Sequence, residues 1–365
     1  MQELEIKVPG AAETRYRITI GAGLLPSAWS AMDAAFAGFR RFVVTDENVV
    51  AAGLLDQLLQ GRDALTYVAR PAGEQSKTID TVVAIVEAME KAYLGRDTLV
   101  IALGGGTVGD IAGFAAAIFK RGVPVVQIPT TTLAQADSAI GGKTGVDSSV
   151  SKNAFGAFWH PAAVYIDIAT LQSLEERQYR AGLVESVKHG LIADRQYFEF
   201  LESHLGAILA RDADTLETMA RYNCLIKGHV VEEDPQEKNK RRILNYGHTV
   251  GHAVEAASGY GLLHGEAIAV GVIAAGLIEI EMGLSERARL DRVRAVLEKL
   301  GVPVKLPPDL AEDRVMDIMQ HDKKAVDRWP RFVLLERLGE VHCPNGRYAV
   351  PVGRDVMEKV LKQLR

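Results

Sequence analysis

Along the first half of the chain, short β-branched apolar runs alternate with stretches of helical spacing. Residues 15–20 read as a strand before Gly21, 42–45 as a second ending at Asp46, and 99–103 as a fully apolar third that runs into three glycines. Residues 123–128, stopped by Pro129, and 164–167 complete the series. Strands separated by helices predict a parallel sheet with helices on its faces. Beyond about residue 175 the pattern changes to helix after helix, over 175–193, 196–210, 214–232, 249–258, 266–282 and 285–300, with later strands only at 331–335 and 347–352. The expected fold class is α/β: a Rossmann-like domain over 1–175, then a mainly α-helical domain over 176–365. Ligands of such folds lie beyond the carboxyl ends of the strands, here in the cleft against the helical domain.

Composition narrows the function classes. The 365 residues suffice for two cores, and 48% hydrophobic with 24% charged residues is ordinary for a folded globular protein. A net charge of -5 excludes a general basic footprint for nucleic acid. The two cysteines, Cys224 and Cys343, form no CxxC, so neither a thiol redox motif nor a cysteine zinc site is expected. The first ten residues contain acidic groups and no apolar leader core, and the longest uncharged apolar run, 267–278, is short of a membrane span. A soluble cytoplasmic protein with no membrane partner is expected.

The first candidate chemistry is a glycine turn. Gly104-x-Gly106-x-x-Gly109 follows the apolar strand and opens a helix expected over 111–119. Glycines let the backbone approach a pyrophosphate, and the helix N-terminus offers free N–H groups. The bland alternative is a tight strand-to-helix turn with no ligand. No acidic residue stands about 20 positions beyond the glycines, where the usual dinucleotide fold holds the ribose, and Asp46 is the substitute.

The second is a histidine cluster. His248 and His252 are spaced i, i+4, and His264-Gly-Glu266 precedes the next apolar helix, while Glu185 and Lys188 share one face of another. Two imidazoles and a carboxylate suit a catalytic zinc with an open position. Spacing alone favours His248 and His252 as the pair and leaves the third ligand undetermined. The HxxxH pair lacks the intervening Glu of a zincin, and a lone histidine such as His229 or His321 reads as surface or core. The charge run 236–242 reads by default as solvated surface, yet it leads straight into the histidines. With Lys143, Lys152, Asn153 and Arg121, it points to a substrate bearing a carboxylate and a phosphate.

These motifs converge. Gly104-Gly-Gly-Thr-Val-Gly-Asp110, Ile128-Pro-Thr-Thr131, Asp137-Ser-Ala-Ile-Gly-Gly-Lys143-Thr144, Lys152-Asn153-x-x-Gly156-Ala157-Phe158, Glu185-x-x-Lys188, Leu244-Asn-Tyr-Gly-His248-Thr-x-Gly-His252, His264-Gly-Glu266 and Asp322-Lys-Lys324 resemble the 3-dehydroquinate synthases, in the family's order, across roughly residues 45 to 335. Departures are mild: His160 stands where family members often have Gln, and Val150-Ser151 falls in a variable stretch.

The resemblance implies metal ligands Glu185, His248 and His264, for Zn2+ or Co2+, and makes His252 an acid/base residue outside the metal shell. It implies NAD at Asp46, Asn48, Glu74, Lys77, Gly105, Gly106, Thr107, Asp110, Thr130, Thr131, Lys143, Lys152, Thr170 and Ser173. Substrate positions are Arg121, Asp137, Lys143, Asn153, Lys188, Lys227, Arg241, Asn245 and one of Lys323 and Lys324. Glu237 matches a second proton-transfer residue, and Lys152, Asn245 and Arg241 join His252 in the catalytic set. The implied reaction converts 3-deoxy-D-arabino-heptulosonate 7-phosphate to 3-dehydroquinate and phosphate. It runs by transient oxidation, phosphate elimination, re-reduction and internal aldol closure. A homodimer, not fused to other enzymes, is the implied form. Three alternatives remain: a cyclase making an inosose or a valiolone, a metal-dependent polyol or glycerol-phosphate dehydrogenase, and a non-catalytic nucleotide-binding protein. Lys152, Asn153, Lys227, Arg241 and Asn245 argue against the first, net NADH release would mark the second, and the third leaves the ligand positions unexplained.

Overall fold

The computed structural model describes residues 14–320 and 329–365. Six parallel strands form one sheet: β1 Arg17–Gly21, β2 Arg40–Asp46, β3 Leu65–Ala69, β4 Thr98–Gly104, β5 Val125–Pro129 and, after a separate hairpin of β6 Lys143–Val146 and β7 Phe155–Phe158, β8 Ala163–Asp167. Their order is β1-β8-β5-β4-β2-β3. The chain leaves β2 toward β3 and β4 toward β5, in opposite directions, so the crevice between the carboxyl ends of β2 and β4 is the topological switch point.

β4 is buried along its whole length, as a central parallel strand covered on both faces must be. The helices α1 Leu25–Ala35, α2 Glu47–Ala51, α3 Leu54–Leu59, α4 Ile79–Lys91 and α5 Gly106–Ile118 belong to this half. One apolar cluster packs α4 and α5 on one face of the sheet through Ile85, Met89, Ile111 and Phe114. A second packs α1 and α3 on the other through Leu25, Met32, Leu54 and Leu58.

The second half is helical: α6 Glu176–Ala193, α7 Arg195–Leu209, α8 Ala213–Glu233, α9 His248–Ala257, α10 His264–Glu281, α11 Arg287–Leu300, α12 Glu312–Gln320 and α13 Arg354–Gln363. Every residue of α10 from Gly265 to Glu279 is buried, as expected of a helix apolar all round. Its core continues onto Val164 and Ile166 of β8, so the sheet and the helices share apolar packing at that edge.

The expected strands and helices are present with shifted ends. The run at 331–335 divides into Arg331–Phe332, paired with Val350–Pro351, and Leu335–Arg337, paired with Glu340–Val341. The expected helix over 111–119 starts earlier, because the glycines form its first turn.

Candidate active site

The glycine turn is built by packing. β4 ends at Gly104, Gly105 caps α5, and Gly106 opens it. A Cβ on Gly104 would stand 2.6 Å from Val108 Cγ2 and 2.7 Å from its Cβ, so glycine there lets α5 start this close to the strand end. No side chain caps the N-terminus of α5 and no acidic residue lies in its first turn, leaving N–H groups and partial positive charge for an anion.

Around it, each residue expected to hold NAD on the sheet lies beyond the carboxyl end of a strand. Asp46 ends β2 and accepts from Val49 N at 2.9 Å, with Asn48 in α2 beside it. Glu74 and Lys77 follow β3, and Lys77 pairs with Asp110 of α5 at 2.6 Å. Thr107 donates to Glu74 at 3.4 Å. Thr130 and Thr131 follow β5, with Thr130 N donating to Gly104 O at 2.9 Å. Thr170 and Ser173 lie in the 3-10 turn after β8, where the Thr170 hydroxyl bonds Asp167 O at 2.7 Å.

The metal candidates come from three helices drawn together by glycine. A Cβ on Gly265, beside His264, would overlap the Ala181 carbonyl, one turn before Glu185. A Cβ on Gly271 of α10 would overlap the Gly247 carbonyl at the start of α9. Backbone-to-backbone packing therefore brings α6, α9 and α10 close enough to converge. Glu266 fixes the start of α10 by accepting from Leu263 N at 2.8 Å, and a two-bonded Arg177 holds it from α6.

Glu185 Oε1 then lies 3.6 Å from His248 Nε2 and 3.6 Å from His264 Nε2. Its side chain is 1% exposed, and that oxygen is buried without a hydrogen bond. Two ligand atoms each about 2.1 Å from a tetrahedral ion stand about 3.4 Å apart, so the spacing fits a divalent metal. His248 Nδ1 is 3.0 Å from Tyr246 O, which keeps its proton there and aims Nε2 at Glu185. Burial and Lys188 hold the His248 imidazole well below its usual pKa, in the neutral form a metal needs. Burial raises the Glu185 carboxyl, but Lys188 and the two imidazoles outweigh it and keep it well below the carboxylate range. His252 stands on the open side, its ring 5.1 Å from that of His248 and 5.7 Å from that of His264. The nitrogens of His248, His252 and His264 also lie close enough together to share an ion, as do ligand atoms of Asp137, Glu185 and His189. What distinguishes the set with Glu185 is a buried carboxylate oxygen 3.6 Å from both the His248 and His264 nitrogens and without a hydrogen bond.

Cations surround this centre. Lys188 pairs with the far oxygen of Glu185, and Lys227 of α8 pairs with Asp137 at 2.8 Å. Arg241, 1% exposed, donates to Gly141 O at 3.0 Å and Pro235 O at 2.8 Å. The run 236–242 is thus not simply solvated surface. Lys143 pairs with Glu237, which also accepts from Asn245 at 2.7 Å. Lys152 bridges Glu74 at 3.0 Å and Glu255 at 2.7 Å, and Asn153 adjoins it with a left-handed φ of 50°. Lys188, Lys227 and Arg241 are buried, and buried ions are poor devices for stability. Arg121 does not join them. It lies past the far end of α5, a 13-residue helix, hence about 20 Å of helix from the glycine turn. Lys323 and Lys324 lie outside the described residues.

Two features escaped sequence reasoning. Glu255, beside Lys152 and His264, falls at i+7 from His248, a helix-face spacing that offered a signal. Buried His189, joined to Asn223 at 3.0 Å behind Asp137, offered none.

The 3-dehydroquinate synthase N-terminal family model matches residues 67–181, and the C-terminal one matches 182–325. A 3-dehydroquinate synthase of Ruminiclostridium cellulolyticum is 44% identical over 308 residues, 83% of this chain and 85% of that protein. One of Azotobacter vinelandii is 44% identical over 343 residues, 93% and 92%. Among solved structures, a 2-deoxy-scyllo-inosose synthase complexed with carbaglucose-6-phosphate, NAD+ and Co2+ has TM-score 0.85 at 30% identity, over 95% of this chain and 96% of its own. A 2-epi-5-epi-valiolone synthase from Streptomyces hygroscopicus with NAD+ and Zn2+ bound has TM-score 0.87 at 29%, over 98% and 99%. A probable glycerol dehydrogenase from Sinorhizobium meliloti, 15% identical at TM-score 0.69, shares the fold.

Proposed function

The chain belongs to the 3-dehydroquinate synthase family, and from that premise we propose how its own residues carry the family's reaction. 3-Deoxy-D-arabino-heptulosonate 7-phosphate becomes 3-dehydroquinate and phosphate, with NAD and a divalent metal as cofactors. When bound, NAD supplies a reversible hydride acceptor and the metal a Lewis acid for negative charge developing on substrate oxygen. Glu185, His248 and His264 hold the metal. The observation that carries this is the buried Glu185 oxygen 3.6 Å from both imidazole nitrogens. The glycine turn, Asp46 and the residues beyond the other strand ends hold the nucleotide.

Lys152, Lys188, Lys227 and Arg241 grip the carboxylate and the phosphate, and Asp137 and Asn153 complete the pocket. Fixing the open-chain substrate in one pose supplies much of the rate of an intramolecular closure. His252, on the open side of the centre, moves a proton at the leaving phosphate with Asn245 beside it. Glu237, held by Asn245 and Lys143, is the second proton-transfer group. We place the division of labour near residue 175, where the last sheet strand and its 3-10 turn give way to α6. Arg121 is too remote to serve its own cleft, so a substrate role for it requires a second copy of the chain, which supports a homodimer. The two cysteines are unpaired, and no helix among the described residues is long and apolar enough to cross a membrane. Both features support a cytoplasmic location.

The test is phosphate release from the heptulosonate phosphate with NAD in catalytic amount. Many phosphates released per NAD, with no net NADH, are expected. NADH accumulating in step with turnover would point to a dehydrogenase instead.

A further inference from the structure

His248, His252 and Glu255 lie at i, i+4 and i+7 on α9 and share one face. The Glu255 side chain is only 6% exposed, and its two oxygens take different partners. Oε1 receives Lys152 Nζ at 2.7 Å, and Oε2 stands 3.3 Å from His264 Nδ1. Lys152 in turn reaches Glu74 on the sheet side at 3.0 Å and lies 4.6 Å over the ring of Tyr260. One carboxylate thus touches both a metal-ligand candidate and the loop cation that spans the cleft. A histidine that binds metal through Nε2 carries its remaining proton on Nδ1. A carboxylate on that proton fixes tautomer and ring angle and raises the basicity of the donor nitrogen. His248 has this support from the Tyr246 carbonyl, and for His264 only Glu255 stands on the Nδ1 side among the contacts of the described residues.

We propose that Glu255 is a positioning residue of the metal centre: it holds His264 with Nδ1 protonated and Nε2 turned to Glu185, while its second oxygen pins Lys152 over the cleft. Lys152 alone does not account for this carboxylate, because Glu74 already neutralises the lysine and Glu255 Oε2 turns away from it to His264. The inference rests on His264 being a ligand, which the same experiment checks.

Chelator-stripped, NAD-saturated protein is titrated with Co2+ and followed by visible absorption, for wild type, Glu255→Gln, Glu255→Ala and His264→Ala. Circular dichroism of each variant establishes that it is folded. Glu255→Ala is expected to bind Co2+ about 10- to 100-fold more weakly. Glu255→Gln, whose amide oxygen still accepts from Nδ1–H, is expected to lose affinity in the same direction but less. Should the alanine variant fail to fold, the isosteric glutamine variant carries the test. Wild-type Co2+ affinity in the folded Glu255 variants, with affinity lost in His264→Ala, overturns the positioning role while leaving the ligand set intact. Wild-type affinity in His264→Ala overturns the ligand reading itself.

Discussion

The two walls of the cleft are made of different materials. On the sheet side much of the functional surface is backbone: the glycines of the β4–α5 turn and an uncapped helix N-terminus, flanked by Asp46, Thr130, Thr170 and the Lys77–Asp110 pair. On the helical side it is charge. Glu185, Lys188, Lys227 and Arg241 are all buried, and the Glu185 Oε1 and Arg241 Nε atoms have no hydrogen bond. A dinucleotide is a large ligand joined by a single pyrophosphate, which neutral N–H groups at a close-packed turn can hold. A metal and a doubly anionic substrate need opposed charges held apart until the ligand arrives, and such charges tolerate burial only because each has a partner. The sheet side is therefore expected to fail by steric change and the helical side by charge change.

The largest effect is expected from the metal wall. His248→Ala and His264→Ala should each lower kcat/KM by more than about a thousandfold, because three protein ligands leave no spare. His252→Ala should keep its metal and slow turnover by about a hundred- to ten-thousandfold, the range for loss of a proton-transfer group. Steady-state kinetics with metal analysis separates the two classes.

The sheet wall is broken by bulk. Gly106 tolerates little, since a Cβ there already meets Ser138 Oγ at 3.0 Å. Gly106→Val should weaken NAD binding at least about tenfold, or about 1.4 kcal/mol, in calorimetry on folded protein. Unchanged affinity would remove the turn from the pyrophosphate site. Arg241→Lys should lower kcat/KM about ten- to a hundredfold, since an ammonium cannot reproduce the guanidinium fork that also holds the Gly141 and Pro235 carbonyls. Wild-type kinetics would return the 236–242 run to a structural role.

The smallest expected effect is on stability. Burial and Lys188 push the buried His189 imidazole down to about 4, against about 6.5 in an unfolded chain. Between those values the unfolded chain binds the extra proton, so this contribution is present at neutral pH and is lost as pH falls from about 6.5 to 4. It amounts to at most about 3 kcal/mol. His189→Gln should flatten the difference in urea-unfolding free energy between pH 7 and pH 4.5. A variant as acid-sensitive as wild type would contradict the assignment.

The same contrast explains what could be read from the chain. The glycine turn is local: strand, glycines and helix all lie between Thr98 and Ile118, and its meaning survives without the fold. β3 is not legible in the sequence because Leu65–Ala69 is a half-exposed edge strand with weak patterning. The β6–β7 hairpin is not legible either, because Gly145 and Gly156 face each other across it and its strands look like loop. The candidate metal centre is the opposite case. The visible spacing joins His248 to His252, whereas the carboxylate beside His248 and His264 comes from α6. Only the glycine-mediated approach of three helices brings these together, and no single-sequence period encodes it. Family resemblance supplied that ligand set, and Glu255 lay outside both kinds of reading.

Metal content decides between Glu185 with His248 and His264 on one hand and the three histidines on the other. Purified Glu185→Ala and His252→Ala proteins, folded by circular dichroism, are analysed for bound divalent ion beside wild type. Wild type and His252→Ala should each carry one ion per chain and Glu185→Ala essentially none. Metal retained by Glu185→Ala and lost from His252→Ala would place the ion among the three histidines and contradict the account.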